Sequence, residues 1–254
     1  MESLVSAVLV ILIILVLIVI FVPAALERVS RRHRSERDRL TAELRAEEVA
    51  LRTLERQVIP YGRGKSAHFT AQSVVARERL AAWLSELEAA RAVVDELRCP
   101  EVYDYLLPVQ HFALSPRDAA AIVADQRRLA HLRRRLRALD EAAEAARGAF
   151  AALEELPETL AGERDAAAGR LDAVAASLAA ERAAGIVELG ELEGGVTRAR
   201  TLLAALPVPG PTPPTPAVLA ELDGAARALE QAVAITGELE EETADLAAQR
   251  ARLD

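Results

Sequence analysis

From Leu4 to Val22 the chain reads LVSAVLVILIILVLIVIFV, nineteen residues without a charge and with one hydroxyl, Ser6. No charged residue lies between Glu2 and Glu27. At a rise of about 1.5 Å per residue the run reaches about 28 Å as a helix, close to the hydrocarbon thickness of a bilayer. Its valines and isoleucines are acceptable in such a helix, because lipid obliges the backbone to satisfy its own polar groups. A cleaved signal peptide is the competing assignment. Met-Glu-Ser supplies no positively charged n-region, and the apolar stretch exceeds the usual h-region. The expectation is an uncleaved N-terminal transmembrane anchor over residues 1–23.

The flanks set its orientation. Before the run stand only the α-amino group and Glu2, whereas Arg28, Arg31, Arg32, Arg34, Arg37 and Arg39 follow it. Basic residues beside a spanning helix stay in the cytoplasm. The chain is therefore expected in the cytoplasmic (inner) membrane as a single-pass protein, N-terminus outside and body in the cytoplasm. Arg28, Arg31, Arg32 and Arg34 determine this topology and can also meet anionic headgroups, worth about 1 kcal/mol each near the surface. The single cysteine, Cys99, fits a reducing compartment.

Beyond the run the sequence is rich in alanine, leucine, arginine and glutamate. The chain is 52% hydrophobic but only 3% aromatic, with a formal net charge of −8. That balance argues against a β-sandwich, an α/β enzyme and a disulfide-stapled module, and recurring leucine argues against disorder. Leucine seams step by three and four residues in five segments, the mark of helices packed side by side. The first holds Leu40, Leu44, Glu47, Leu51, Leu54 and Val58, with no breaker between Pro23 and Pro60. The second holds Ala76, Leu80, Trp83, Leu87, Ala90, Val94 and Leu97. The third holds Ile122, Leu129, Leu132, Leu136, Leu139, Ala143, Ala146, Phe150 and Leu153, opened by Ser115-Pro116. The fourth runs from Leu160 through Leu171, Val174 and Leu178 to Leu203, with Gly185, Gly190, Gly194 and Gly195 favouring a kink or break. The fifth follows Thr215-Pro216 with Leu222, Leu229, Leu239, Leu246 and Leu253.

The expected fold is all-α: one N-terminal transmembrane helix followed by an elongated antiparallel helical bundle or coiled coil. Its parts are a juxtamembrane helix over 24–59 and a bundle over 60–206, with helices at about 71–98, 116–155 and 158–206. A proline-rich linker (207–216, PVPGPTPPTP) and an acidic C-terminal helix (217–254) complete it.

The stretch Leu80-Ala-Ala-Trp83-Leu84-Ser-Glu86-Leu87-Glu88 resembles the first helix of a spectrin-type repeat, in which a tryptophan sits on the buried seam of a three-helix unit. One membrane anchor followed by spectrin-like helices is similar, at the level of architecture, to the bacterial septation-ring regulator family. The resemblance covers about a dozen residues and implies a class of role, a membrane-anchored scaffold. Arginine in place of lysine, with Lys65 the one lysine, points to a GC-rich bacterial genome.

Motifs for chemistry are incomplete. Gly62-Arg63-Gly64-Lys65-Ser66 mimics the end of a phosphate-binding loop, yet its first glycine would be residue 59, an isoleucine, and a helix rather than a strand precedes it. Val93-Val94-Asp95-Glu96 imitates a Walker B ending inside a helical repeat. Cys99, His68 and His111 lack metal-ligand spacing. No catalytic residue, metal or cofactor is expected. Arg127, Arg128, Arg133, Arg134, Arg135 and Arg137 concentrate positive charge in the third segment, while Glu238, Glu240, Glu241, Glu242 and Asp245 make the last one acidic. The arginines are a candidate surface for an acidic partner, or a solvated face partly neutralised by neighbouring helices. Net acidity and the absence of stacking aromatics argue against nucleic acid. Tyr103 and Tyr105 form a second candidate surface at a loop. The expected function is a membrane-anchored coiled-coil scaffold or adaptor, with the bilayer and unknown proteins as partners and self-association through the helix seams as a further possibility. The alternative is a membrane-tethered regulator, or a binder of nucleic acid or an acidic partner, using the Arg127–Arg137 stripe, and behind it a nucleotide-binding enzyme.

Overall fold

The computed structural model describes residues 2–99, 116–185, 189–205 and 215–252, and side chains throughout these except at 2–8, 18–20, 22–24, 116 and 118–119. Among the described residues every regular element is helical. In chain order these are α1 (Glu2–Val58), a short 3-10 turn (Tyr61–Arg63), α2 (Ala67–Asp95), α3 (Pro116–Glu154), α4 (Leu156–Ala183), α5 (Gly190–Ala204) and α6 (Pro216–Arg250). The described residues form a helical bundle. It divides into two compact units, one of Met1–Thr53 with Leu80–Ala145, the other of Leu54–Arg79 with Ala146–Asp254.

The first unit packs α1, the C-terminal part of α2 and most of α3. Its core is the predicted seams: Leu40, Leu44 and Leu51, then Leu80, Trp83, Leu87 and Ala90, then Ile122, Leu129, Leu132 and Leu139, all buried. Successive ion pairs fix direction. Glu86 pairs with Arg135 at 3.1 Å and Glu96 with Arg128 at 3.3 Å, so α2 and α3 are antiparallel.

The second unit is built on α4, α5 and α6. Arg182 meets Glu193 at 2.7 Å and Asp172 meets Arg200 at 2.8 Å, which makes α4 and α5 antiparallel. Arg170 pairs with Glu240, and Glu181 with Arg250 at 3.3 Å, so α4 and α6 run parallel. Leu160, Leu171, Val174 and Leu178 of α4, Leu192, Val196 and Leu203 of α5, and Leu219, Leu222 and Leu229 of α6 are buried where these helices pack. A Cβ at Gly195 would stand 2.9 Å from Leu239 Cδ2, so the missing side chain lets α5 come close to α6. Tyr61 stacks on Phe69 and meets Phe150 edge-on, with ring centroids 6.2 Å apart in each pair.

On three points the described residues bear on the expected layout. The fourth segment is two helices: α4 stops at Ala183 and Gly185 takes φ +97°, a left-handed angle that glycine adopts without strain and that ends a helix. Of the tight turn or kink expected at Pro157 between the third and fourth segments, the α3–α4 junction is no tight turn. It is the single residue Glu155, whose φ −80° and ψ −5° remain helical, with Pro157 accommodated in the first turn of α4. One residue with helical angles cannot reverse a chain. The transmembrane helix over Leu4–Val22 is not supported by the described residues, among which no helix is long and apolar enough to cross a membrane. Their consecutive apolar side chains are Leu9–Leu17, about 13.5 Å of helix and half of a bilayer core.

The seams carry the stability. Leu132→Ala, at a wholly buried position, is expected to destabilise the first unit by about 2–5 kcal/mol, whereas Val123→Ala, half-exposed on the same helix, changes it by about 0.5 kcal/mol or less. Chemical denaturation of the two variants checks this.

Candidate functional site

The turn between α1 and α2 is the part of the second unit richest in polar contacts. α1 ends at Val58, two residues before Pro60, which has no backbone N–H to donate, and Ser66 then caps α2, its Oγ accepting from Phe69 N–H at 3.3 Å. The first amides of a helix have no partner of their own. Here two carboxylates of α6 supply one: Asp223 accepts from the backbone N–H groups of Lys65 and Ser66, both at 2.8 Å, and Glu230 from that of Ala67 at 2.7 Å. His68 lies between Glu230 (Nδ1, 3.2 Å) and Glu163 of α4 (Nε2, 2.9 Å). Negative charge at this end also complements the α2 dipole.

Asp223 is buried, and burial by itself would raise its carboxyl pKa. The amides of Ser66 and Lys65, the Ser66 hydroxyl and the Arg227 charge outweigh it and hold the carboxyl below its ordinary value. Burial pushes the Tyr61 hydroxyl up, and Glu154 adds to the effect. The phosphate-loop mimic is thereby given its structural role. The backbone donors at Lys65, Ser66 and Ala67, which would face a phosphate in a nucleotide-binding loop, donate to the protein's own carboxylates. Gly64 is needed here for space rather than for its backbone angle: a Cβ would fall 2.6 Å from Phe69 Cβ and Cγ.

The first unit has a corresponding device. Asp125 of α3 is fully buried and accepts from the N–H groups of Arg98 (3.2 Å) and Cys99 (2.8 Å), just past the end of α2. It thereby fixes Cys99, the one non-glycine residue with positive φ (+44°) among the described residues. The Cys99 thiol is pushed up by burial and by Asp125, against the opposing charges of Arg37 and Arg34. Among the described residues no group of three or more His, Cys, Asp or Glu is placed to hold a metal.

The predicted arginine surface splits. Arg128 turns to Asp125 and Glu96, Arg133 to Glu36 and Arg135 to Glu86. Arg127, Arg134 and Arg137 are exposed and form no ion pair among the described residues. Near the start of the first unit, Arg31 and Arg34 converge on the buried Glu27 carboxylate at 2.7 and 3.0 Å, while Arg28 and Arg32 point outward. Tyr103, Tyr105 and His111 lie outside the described residues, as do 207–214 of the proline-rich segment. No protein-family model, curated protein or solved structure matches this chain.

Sequence reading missed Asp125, Asp223 and Glu230. A signal existed for the first: Ile122, Asp125, Leu129 and Leu132 step by three, four and three, which puts a carboxylate on the buried seam. Asp223 and Glu230 each follow a seam leucine directly, and nothing local distinguishes them from surface acids.

Asp223→Ala leaves the buried Ser66 amide unsatisfied and is expected to cost about 1–3 kcal/mol, with Asp223→Asn costing less because it keeps an acceptor oxygen. The contribution of this carboxyl is whole above its ordinary pKa of 3.8 and is lost as pH falls through the lower folded value. The stability gap between wild type and Asp223→Asn should therefore narrow below about pH 4, as read by thermal melts across an acid series. Gly64→Ala is expected to destabilise by about 1–3 kcal/mol, since Phe69 must shift at its ring base; the same melts test it.

Proposed function

We propose that the chain is a single-pass, membrane-anchored helical scaffold of the bacterial cytoplasmic membrane, with its N-terminus outside and its two-unit helical body in the cytoplasm. One observation carries the reading. The nine consecutive residues Leu9–Leu17 are all aliphatic, and every one is 47–59% exposed. Nine positions cover all faces of a helix, so this part of α1 has no neighbour among the described residues on any side. Aliphatic surface on every face is favourable only in an apolar medium. The uncharged sequence from Leu4 to Val22 extends the same character to the length of a bilayer, and the following arginines supply the cytoplasmic flank.

Support for a scaffold comes from the body. Its largest buried side chains are spent on helix packing, and its polar contacts cap helices and pair their surfaces. The architecture sketched by the resemblance to septation-ring regulators, an anchor followed by three-helix packing, accords with this. In the proposed arrangement Arg28 and Arg32 are the outward cations nearest the lipid. Arg31 and Arg34 neutralise Glu27, which removes a charge penalty beside the membrane.

The test is fractionation and topology together. The full chain should sediment with membranes and resist an alkaline wash, and a chain lacking residues 1–23 should not. A reporter fused after Asp254 should be active only in the cytoplasm. A full chain that stays in the supernatant, or a reporter active outside, overturns the reading.

A further inference from the structure

The arginines of α3 that the first unit leaves unpaired have a counterpart on α6. Arg127, Arg134 and Arg137 fall within an arc of about 80° and span about 15 Å of helix. Exposed Val123 and Ala130 share this face, and exposed Glu141 stands at its C-terminal end. On α6, Glu238, Glu241, Glu242 and Asp245 are exposed and form no ion pair among the described residues. They occupy an arc of about 100° and span about 10.5 Å. Glu240, by contrast, is turned to Arg170, so the helix separates one carboxylate used within the unit from four that are not. The two stripes are opposite in sign, the longer overlaps the whole of the shorter, and each has a small neighbour, alanine at 130 and at 234, that lets helices approach.

We propose that the α3 arginine stripe of one copy docks on the α6 carboxylate stripe of a second copy. A second copy is the occupant because the complementary surface is already present on every chain and forms no ion pair among the described residues. The two sides of the contact differ, so association is head-to-tail rather than two-fold, and each docked copy still offers one stripe of each sign. The net charge of −8 opposes approach at long range, so the attraction is local and depends on registering guanidinium against carboxylate. The leucine seams take no part, since they are buried within one chain. The contact is independent of membrane anchoring.

The test uses the full chain in a zwitterionic detergent at about 0.1 M salt, its mass followed by light scattering against protein concentration. Mass should rise with concentration, and about 1 M salt, where the Debye length is about 3 Å, should dissociate the assembly. Two variants are compared: Arg127→Glu with Arg134→Glu and Arg137→Glu, and Glu238→Lys with Glu241→Lys, Glu242→Lys and Asp245→Lys. Each alone should shift association to a concentration about tenfold higher or more. An equimolar mixture of the two should recover it, because the swapped stripes complement each other and the untouched stripes still pair. Recovery also shows that both variants fold. A wild-type chain that stays monomeric, variants that associate as wild type does, or a mixture that fails to recover overturns the proposal. Wild-type monomers that bind an acidic peptide through these arginines would overturn it in favour of a foreign acidic partner. Because the readout is mass in detergent, its failure is distinguishable from failure of the membrane reading.

Discussion

Two backbone amides, those of Lys65 and Ser66, end on one carboxylate 158 and 157 residues further along the chain, Asp223. The second unit depends on this contact because leucine seams are poor at choosing a register. A helix shifted along its neighbour by one seam repeat buries nearly the same apolar area, since burial is non-directional. A hydrogen bond to a buried carboxylate has one geometry, and a polar group on a packed face is a known way to fix alignment. Asp223, Glu230 and Glu163 together set where α2 begins relative to α4 and α6. The aromatic cluster of Tyr61, Phe69 and Phe150 then packs around a start that is already positioned.

The first unit solves the same problem at the other end of α2. Asp125 receives the amides that follow the last turn, and in doing so holds Cys99 in a backbone region that costs a non-glycine residue about 1–2 kcal/mol. That cost is tolerated because the two amides would otherwise be buried without acceptors. Both ends of α2 are thus closed by an aspartate from a distant helix, and neither closure uses a side chain of α2 itself beyond the Ser66 cap.

Much of the fold was legible because seam burial is periodic. Trp83, Leu87, Leu132 and Leu171 are buried where three- and four-residue steps put them, and Leu136 and Leu246, at the same spacing, are only half-buried because a seam position is covered only as far as its neighbours extend. The split of the fourth segment was signalled by its glycines, of which Gly185 proved decisive because it alone takes a positive φ. Proline was the less certain marker. Pro60 and Pro157 look alike in sequence, yet one follows the end of a helix and the other stands in the first turn of the next. The carboxylate caps were illegible for a different reason: a cap is a relation between residues 26 to 163 positions apart, and only packing decides which acids meet which amides.

The low aromatic content follows from how these helices pack. Alanine at 76, 90, 143, 146, 167, 199, 226 and 232 is buried, and glycine at 195 admits Leu239, so the helices approach on small residues and need few large ones to fill the space between them. The hydroxyls of Thr236 and Thr243, also buried, bond back to carbonyls of their own helix and bring no unsatisfied group into the seam. Along α1 the same economy changes character in order: exposed aliphatic residues from Leu9 to Leu17, then a buried polar row of Glu27, Ser30 and His33, then buried leucines from Leu40. One unbroken helix carries all three. No break interrupts α1 between these zones, so the exposed aliphatic stretch and the packed core of the first unit turn together as parts of one helix.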